Sequence, residues 1–118
     1  MQGLELMQLA VKCADSKKAM DIKVLDIGSL TTLADYFVVC HCPSSTQMNA
    51  ISDEIEEKFK EQGLLMLNQG AHGSDQWILM DYGDVVVHIF NTESREFYGI
   101  EKLWADAANV DISGIVTE

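Results

Sequence analysis

The chain has 118 residues, 47% of them hydrophobic and 23% charged, and a formal charge of −11. Its length suits one domain, which by size scaling buries roughly two thirds of its unfolded surface. The acid excess argues against direct binding to DNA or any other phosphate backbone, since that needs clustered Lys and Arg, and favours a basic protein as partner.

Leu6, Leu9, Ala10, Cys13 and Ala14 repeat at the spacing of a one-faced helix, with Lys17 and Lys18 where a last turn favours cations. Ile22 to Ile27 is short and β-branched and ends at Gly28-Ser29, which predicts a first strand. After a loop at Leu30 to Leu33, a second strand runs from Tyr36 to His41, introduced by Asp35 and closed by Pro43. Ser44, Ser45 and Thr46 offer oxygens to orphan amides, and the stripe Met48, Ile51, Ile55, Phe59 predicts a second helix ending at Gly63. The acids and lysines between Asp53 and Glu61 form its solvated face. Leu64 to Leu67 is expected to add a brief strand before the mobile loop Gly70-Ala71-His72-Gly73-Ser74.

The chain is organised around the run from Trp77 to Phe90, two apolar segments joined by Asp81, Gly83 and Asp84, which reads as a β-hairpin. A period of two puts Trp77, Leu79 and Asp81 on one face and Ile78, Met80 and Tyr82 on the other. Both faces are largely apolar. Either helices cover both, or one is an apolar surface reserved for a partner. A third helix capped by Thr92 follows, with Phe97, Ile100, Leu103 and Trp104 along one side. The order α-β-β-α-(β)-β-β-α fits a single mixed β-sheet packed with helices. Residues 1–106 are expected to form this single α/β domain and residues 107–118 a loosely ordered acidic C-terminal tail.

Cys40-His41-Cys42 invites a zinc site, but structural zinc favours C-x2-4-C pairs and four ligands, and no second pair matches; no metal or other cofactor is expected. A cysteine nucleophile beside His41, His72 or His88 has no local signature, and small buried thiols are the simpler reading. Gly28-Ser29 with Asp26 and Asp35 is the nearest approach to a two-magnesium nucleotidyl-transfer site, yet no two carboxylates stand at i and i+2 on one strand face. No phosphate-cradling glycine loop is present either. The chain lacks a run near the ~20 apolar residues that span a bilayer and a basic region ahead of an apolar start, so the expected location is cytoplasmic, without a membrane. Three cysteines fit reduced thiols there.

The segments Asp15 to Ala19, Asp35 to Val38, Trp77 to Phe90 and Arg95 to Asp106 resemble the ribosomal silencing factor, or Iojap-like, family, over a span from about Leu4 to Asp106. The D-Y-G-D-V-V-V-H run and the R-x-x-Y-x-x-E-x-L-W spacing carry the resemblance. His41-Cys42-Pro43 and Ile100 depart mildly from the family pattern. The resemblance implies a nucleotidyltransferase-like α/β fold without catalysis. It also implies a steric role: binding a basic protein, conventionally numbered fourteen, on the subunit-joining face of the large ribosomal subunit. Small-subunit docking is then blocked, and translation falls when nutrients are short. The alternative is a small metal-dependent nucleotidyl-transferring enzyme.

With no catalytic residues assigned, the expected partner-binding set is Trp77, Leu79, Asp81, Tyr82, Asp84 and His88. Trp77 and Tyr82 are its aromatic anchors, and Asp81 and Asp84 the groups that meet ribosomal cations. Arg95, Tyr98, Glu101 and Trp104 are expected to brace the last helix against the sheet. The apolar sheet surface is expected to pair two free molecules as a symmetric homodimer.

Overall fold

The computed structural model describes residues 3–67 and 76–116; the expected glycine-rich loop at residues 70–74 lies outside them. The first apolar stripe forms α1 (Gly3–Ser16), burying Leu6, Met7, Ala10, Val11, Cys13 and Ala14. Just past it, Lys18 takes a left-handed φ of 64° and the chain turns into β1 (Met20–Asp26). β2 (Tyr36–Cys42) returns antiparallel to β1 and stops before Pro43, which has no amide hydrogen to extend a ladder.

α2 (Ser45–Glu61) starts where Ser44 accepts a 3.2 Å hydrogen bond from the Gln47 amide. Its stripe Met48, Ile51, Ile55 and Phe59 is buried. Gly63, at φ 79°, ends it, while the Leu64 amide donates to the Phe59 carbonyl at 3.0 Å. The hairpin is β3 (Trp77–Asp81) and β4 (Val85–Asn91). At its turn Gly83 adopts φ 88° and donates its amide to Asp81 Oδ1 at 2.9 Å, so glycine supplies the backbone shape and aspartate secures it.

These strands and β5 (Ala108–Asn109) make one mixed sheet in the order β3-β4-β2-β1-β5. Only β2 and β4 pair in parallel, which requires a long connection, and α2 lies within it. One sheet face, with Val24, Val38, Cys40, Met80, Val87 and Ile89, packs against α1 and α2 in the main core. The opposite face gathers Leu25, Phe37, Val39, Val86 and Phe90 under Ile100 and Trp104. A strand buried on both faces explains why β4 reads as an unbroken apolar run.

Four expectations change. Leu64 to Leu67 forms no strand; the Leu67 amide makes a single 2.7 Å bond to the Asp81 carbonyl. The last helix is two short ones, α3 (Thr92–Tyr98) and α4 (Ile100–Leu103), because Gly99 takes φ 61° between them. Its cap is Asn91, which accepts from the Ser94 amide at 2.8 Å, and not Thr92. The segment after residue 106, expected to hang loosely, buries Ala107, pairs β5 with β1 and packs Val110, Ile112, Ile115 and Val116 against the main core. No helix among the described residues is long and apolar enough to cross a membrane.

Candidate partner-binding surface

Strand alternation sorts the expected contact residues. Trp77 and Leu79 lie partly buried on the sheet face away from α1 and α2, and Asp81 follows them at the turn. The Trp77 ring stacks on Phe90 at 5.3 Å and meets Tyr98 at 4.9 Å. Its indole N–H donates to His88 Nδ1 at 3.2 Å.

His88 belongs to the same face but is only 3% exposed, so it supports Trp77 from below. Burial pushes its pKa down to about 4, which keeps the ring neutral and leaves Nδ1 free to accept. The proton therefore sits on Nε2, which has no hydrogen-bond partner among the described residues. The Phe37 ring packs against the imidazole edge-to-face at 4.6 Å.

Tyr82 is separated from Trp77 by the sheet. It shares the face of Ile78 and Met80 and lies in the main core, 8% exposed, with its ring 4.3 Å from that of Phe59 on α2. Burial pushes its hydroxyl up to about 12, and that hydroxyl has no partner. The expected pair of aromatic anchors is thus divided by strand pleating, with Trp77 alone on the accessible face.

The two aspartates differ as well. Asp81 is partly buried and holds the Gly83 amide. Asp84 is exposed, and its carbonyl joins the hairpin to β2 by accepting from the Asp35 and Tyr36 amides at 2.8 and 3.1 Å. Together they place acid at the open end of the apolar strip.

Arg95 is the central polar residue beside this surface. Only 8% exposed, it donates from Nε and Nη2 to the two Glu101 oxygens at 2.9 and 3.2 Å, and from Nη1 to the Asp21 carbonyl at 2.6 Å. Nη1 also lies 2.9 Å from His41 Nδ1. Desolvation, then the Arg95 charge, lowers the His41 pKa. Arg95 and Glu101 thereby brace α3 and α4 on the sheet, and Trp104 does so through Phe37 at 5.5 Å. Phe97 and Leu103, expected on the inward stripe, are instead 82% and 75% exposed. The signal that would have found this is Gly99, whose left-handed turn breaks the helical phase between them.

Metal chemistry finds little footing. Cys40 and Cys42 are buried on the main-core side, and burial pushes the Cys40 thiol up to about 12, while His41 faces Arg95 on the other side. Among the described residues no three His, Cys, Asp or Glu side chains gather as metal ligands.

Comparison with known proteins matches residues 2–118 to the family model described as ribosomal silencing factor during starvation. A ribosomal silencing factor of Halalkalibacterium halodurans is 38% identical, over 99% of this chain and 100% of that protein. The chloroplastic Iojap protein of Zea mays is 33% identical, over 86% of this chain and 44% of the plant protein. A crystal structure of a Chromobacterium violaceum protein superposes with a TM-score of 0.85 at 35% identity, over 89% of this chain and 88% of that one. The bacterial relative carries the name of a silencing factor. On a match that spans almost its whole length, the chain belongs to the ribosomal silencing factor family.

Proposed function

We propose that the protein binds the large ribosomal subunit through the basic protein numbered fourteen on its subunit-joining face, and that its bulk keeps the small subunit from docking. Beyond family membership, one observation carries this reading: the partly exposed Trp77–Leu79 strip ends at the carboxylates of Asp81 and Asp84 on a chain of net charge −11. An apolar centre beside acid suits a basic partner, since steering brings the surfaces together and the aromatic holds them. In this reading Trp77 and Leu79 make the central contact and Asp81 and Asp84 its acidic rim. His88 acts on Trp77 from beneath the surface, and Tyr82 belongs to the main core on the other side of the sheet.

The free protein pairs as a homodimer in the cytoplasm, covering the exposed Phe97 and Leu103 together with the partly exposed Trp77 and Leu79 of the edge strand. Sucrose gradients of separated subunits test the central proposal. Excess protein is expected to co-sediment with large subunits and deplete joined ribosomes; undiminished joined ribosomes overturn it. A magnesium-dependent nucleotide titration is expected to show no binding.

A further inference from the structure

The residue that stands out chemically beneath Trp77 is His88, buried on the sheet face that Ile100 and Trp104 pack against. It faces Leu79 across the β3–β4 ladder, on a sheet face shared with Val86, Phe90, Val39 and Phe37. A leucine or phenylalanine at such a position buries no polar atom. Histidine removes two ring nitrogens from water, and one of them, Nε2, finds no hydrogen-bond partner. The other nitrogen makes a single directed contact, the 3.2 Å hydrogen bond from the Trp77 indole.

That contact is diagonal. Trp77 is paired across the ladder with Phe90, and His88 with Leu79, so the indole must lean along the strand to reach the imidazole. Stacking on Phe90 and Tyr98 fills the indole's apolar face but does not orient its N–H. The hydrogen bond does.

We infer that His88 is a positioning residue that locks the Trp77 indole in one orientation on the partly exposed edge strand β3, so that the protein meets a basic ribosomal partner with its aromatic anchor already fixed. The inference rests on the reading of Trp77 as a contact residue. Its physical basis is preorganisation: a large side chain ordered before association loses no rotamer freedom on binding, and the partner meets one shape. The neutral, buried imidazole keeps its acceptor through the physiological pH range, so the lock does not titrate there.

Nitrogen-15 NMR of the unmodified protein tests the lock directly. A scalar coupling across the hydrogen bond, between the Trp77 indole nitrogen and His88 Nδ1, is expected, together with slow exchange of that indole proton. Absence of both overturns the inference without any variant. His88→Phe is expected to move the Trp77 indole resonance and leave that of Trp104 in place. It should also weaken large-subunit binding three- to tenfold, with no further loss when added to Trp77→Phe. An equal loss in the Trp77→Phe background shows that His88 acts through the core at large and overturns the inference. Binding indifferent to Trp77→Phe, with the coupling intact, instead overturns Trp77 as an anchor and the binding role assigned to its lock.

Discussion

Arg95 and Glu101 stand on opposite sides of the Gly99 break and close on each other through two parallel hydrogen bonds of 2.9 and 3.2 Å. This fork replaces the helical continuity that glycine interrupts, and the 2.6 Å bond from Arg95 to the Asp21 carbonyl ties the pair to the start of β1. Replacing Arg95 leaves a carboxylate and a carbonyl without their donor. Arg95→Met should cost about 2–3 kcal/mol in urea unfolding, below the full cost of breaking a buried pair because Glu101 is partly exposed. Arg95→Lys should recover only part of it, since an ammonium cannot span both oxygens. Equal stability of Arg95→Met and the unmodified protein would show the fork to be idle.

Acid should destabilise the protein through His88. Its folded-state pKa is lowered from 6.5 to about 4, so between those values the unfolded chain binds the extra proton. Stability from this group is therefore complete above pH 6.5 and falls as pH drops toward 4, by roughly 3 kcal/mol in all. His88→Phe should lack that portion of the acid loss. Urea melts of both proteins from pH 7.5 to 4 measure the difference, and parallel curves refute the assignment.

Tyr82→Phe removes a buried hydroxyl that has no hydrogen-bond partner. The expected change is neutral to about 1 kcal/mol more stable, because no bond is lost and a desolvated oxygen is removed. Large-subunit binding should be unchanged, as the ring lies against Phe59 in the main core. A loss of binding without a loss of stability would return Tyr82 to the contact set.

At the hairpin turn, Gly83→Ala should destabilise by about 1–2 kcal/mol, since φ 88° disfavours a side chain and a Cβ would lie 3.2 Å from Leu67 Cδ1. Gly63→Ala, at φ 79° with no heavy atom within 4 Å of the new Cβ, should cost less. Thermal melts that rank them in the reverse order reject the steric part of the argument.

The proposed contact separates into two kinetic signatures. Asp84→Asn, on an exposed side chain, should mainly slow association with the isolated basic ribosomal protein and flatten its salt dependence, costing roughly 0.5–1 kcal/mol. Trp77→Ala should act through the dissociation rate and cost about 2 kcal/mol or more. Stopped-flow binding across a salt series distinguishes them, with circular dichroism as the folding control.

Much of the fold was legible because its signals are local. The stripe Met48, Ile51, Ile55, Phe59, with capping oxygens at Ser44 to Thr46 and Gly63 past the end, announced α2, and Asp81 with Gly83 announced the hairpin turn. Arg95, Glu101 and Trp104, expected with Tyr98 to brace the last helix, do pack it on the sheet. What the sequence by itself determined was therefore α1, the first two strands, α2 and the hairpin, the acidic character and the family. Tertiary structure alone decided which apolar residues face out. Periodicity says that Trp77 and Tyr82 lie on opposite faces, but only tertiary packing decides that Tyr82 is shut into the core under α1 and α2 while Trp77, on the edge strand, stays partly exposed. Likewise the left-handed φ of Gly99 splits the expected last helix, so that its stripe does not continue and Leu103 meets solvent. The placement of β5 beside β1 depends on long-range pairing that two residues, Ala108 and Asn109, cannot announce through any local pattern. Burial is a property of neighbours distant in sequence, and no residue carries it alone.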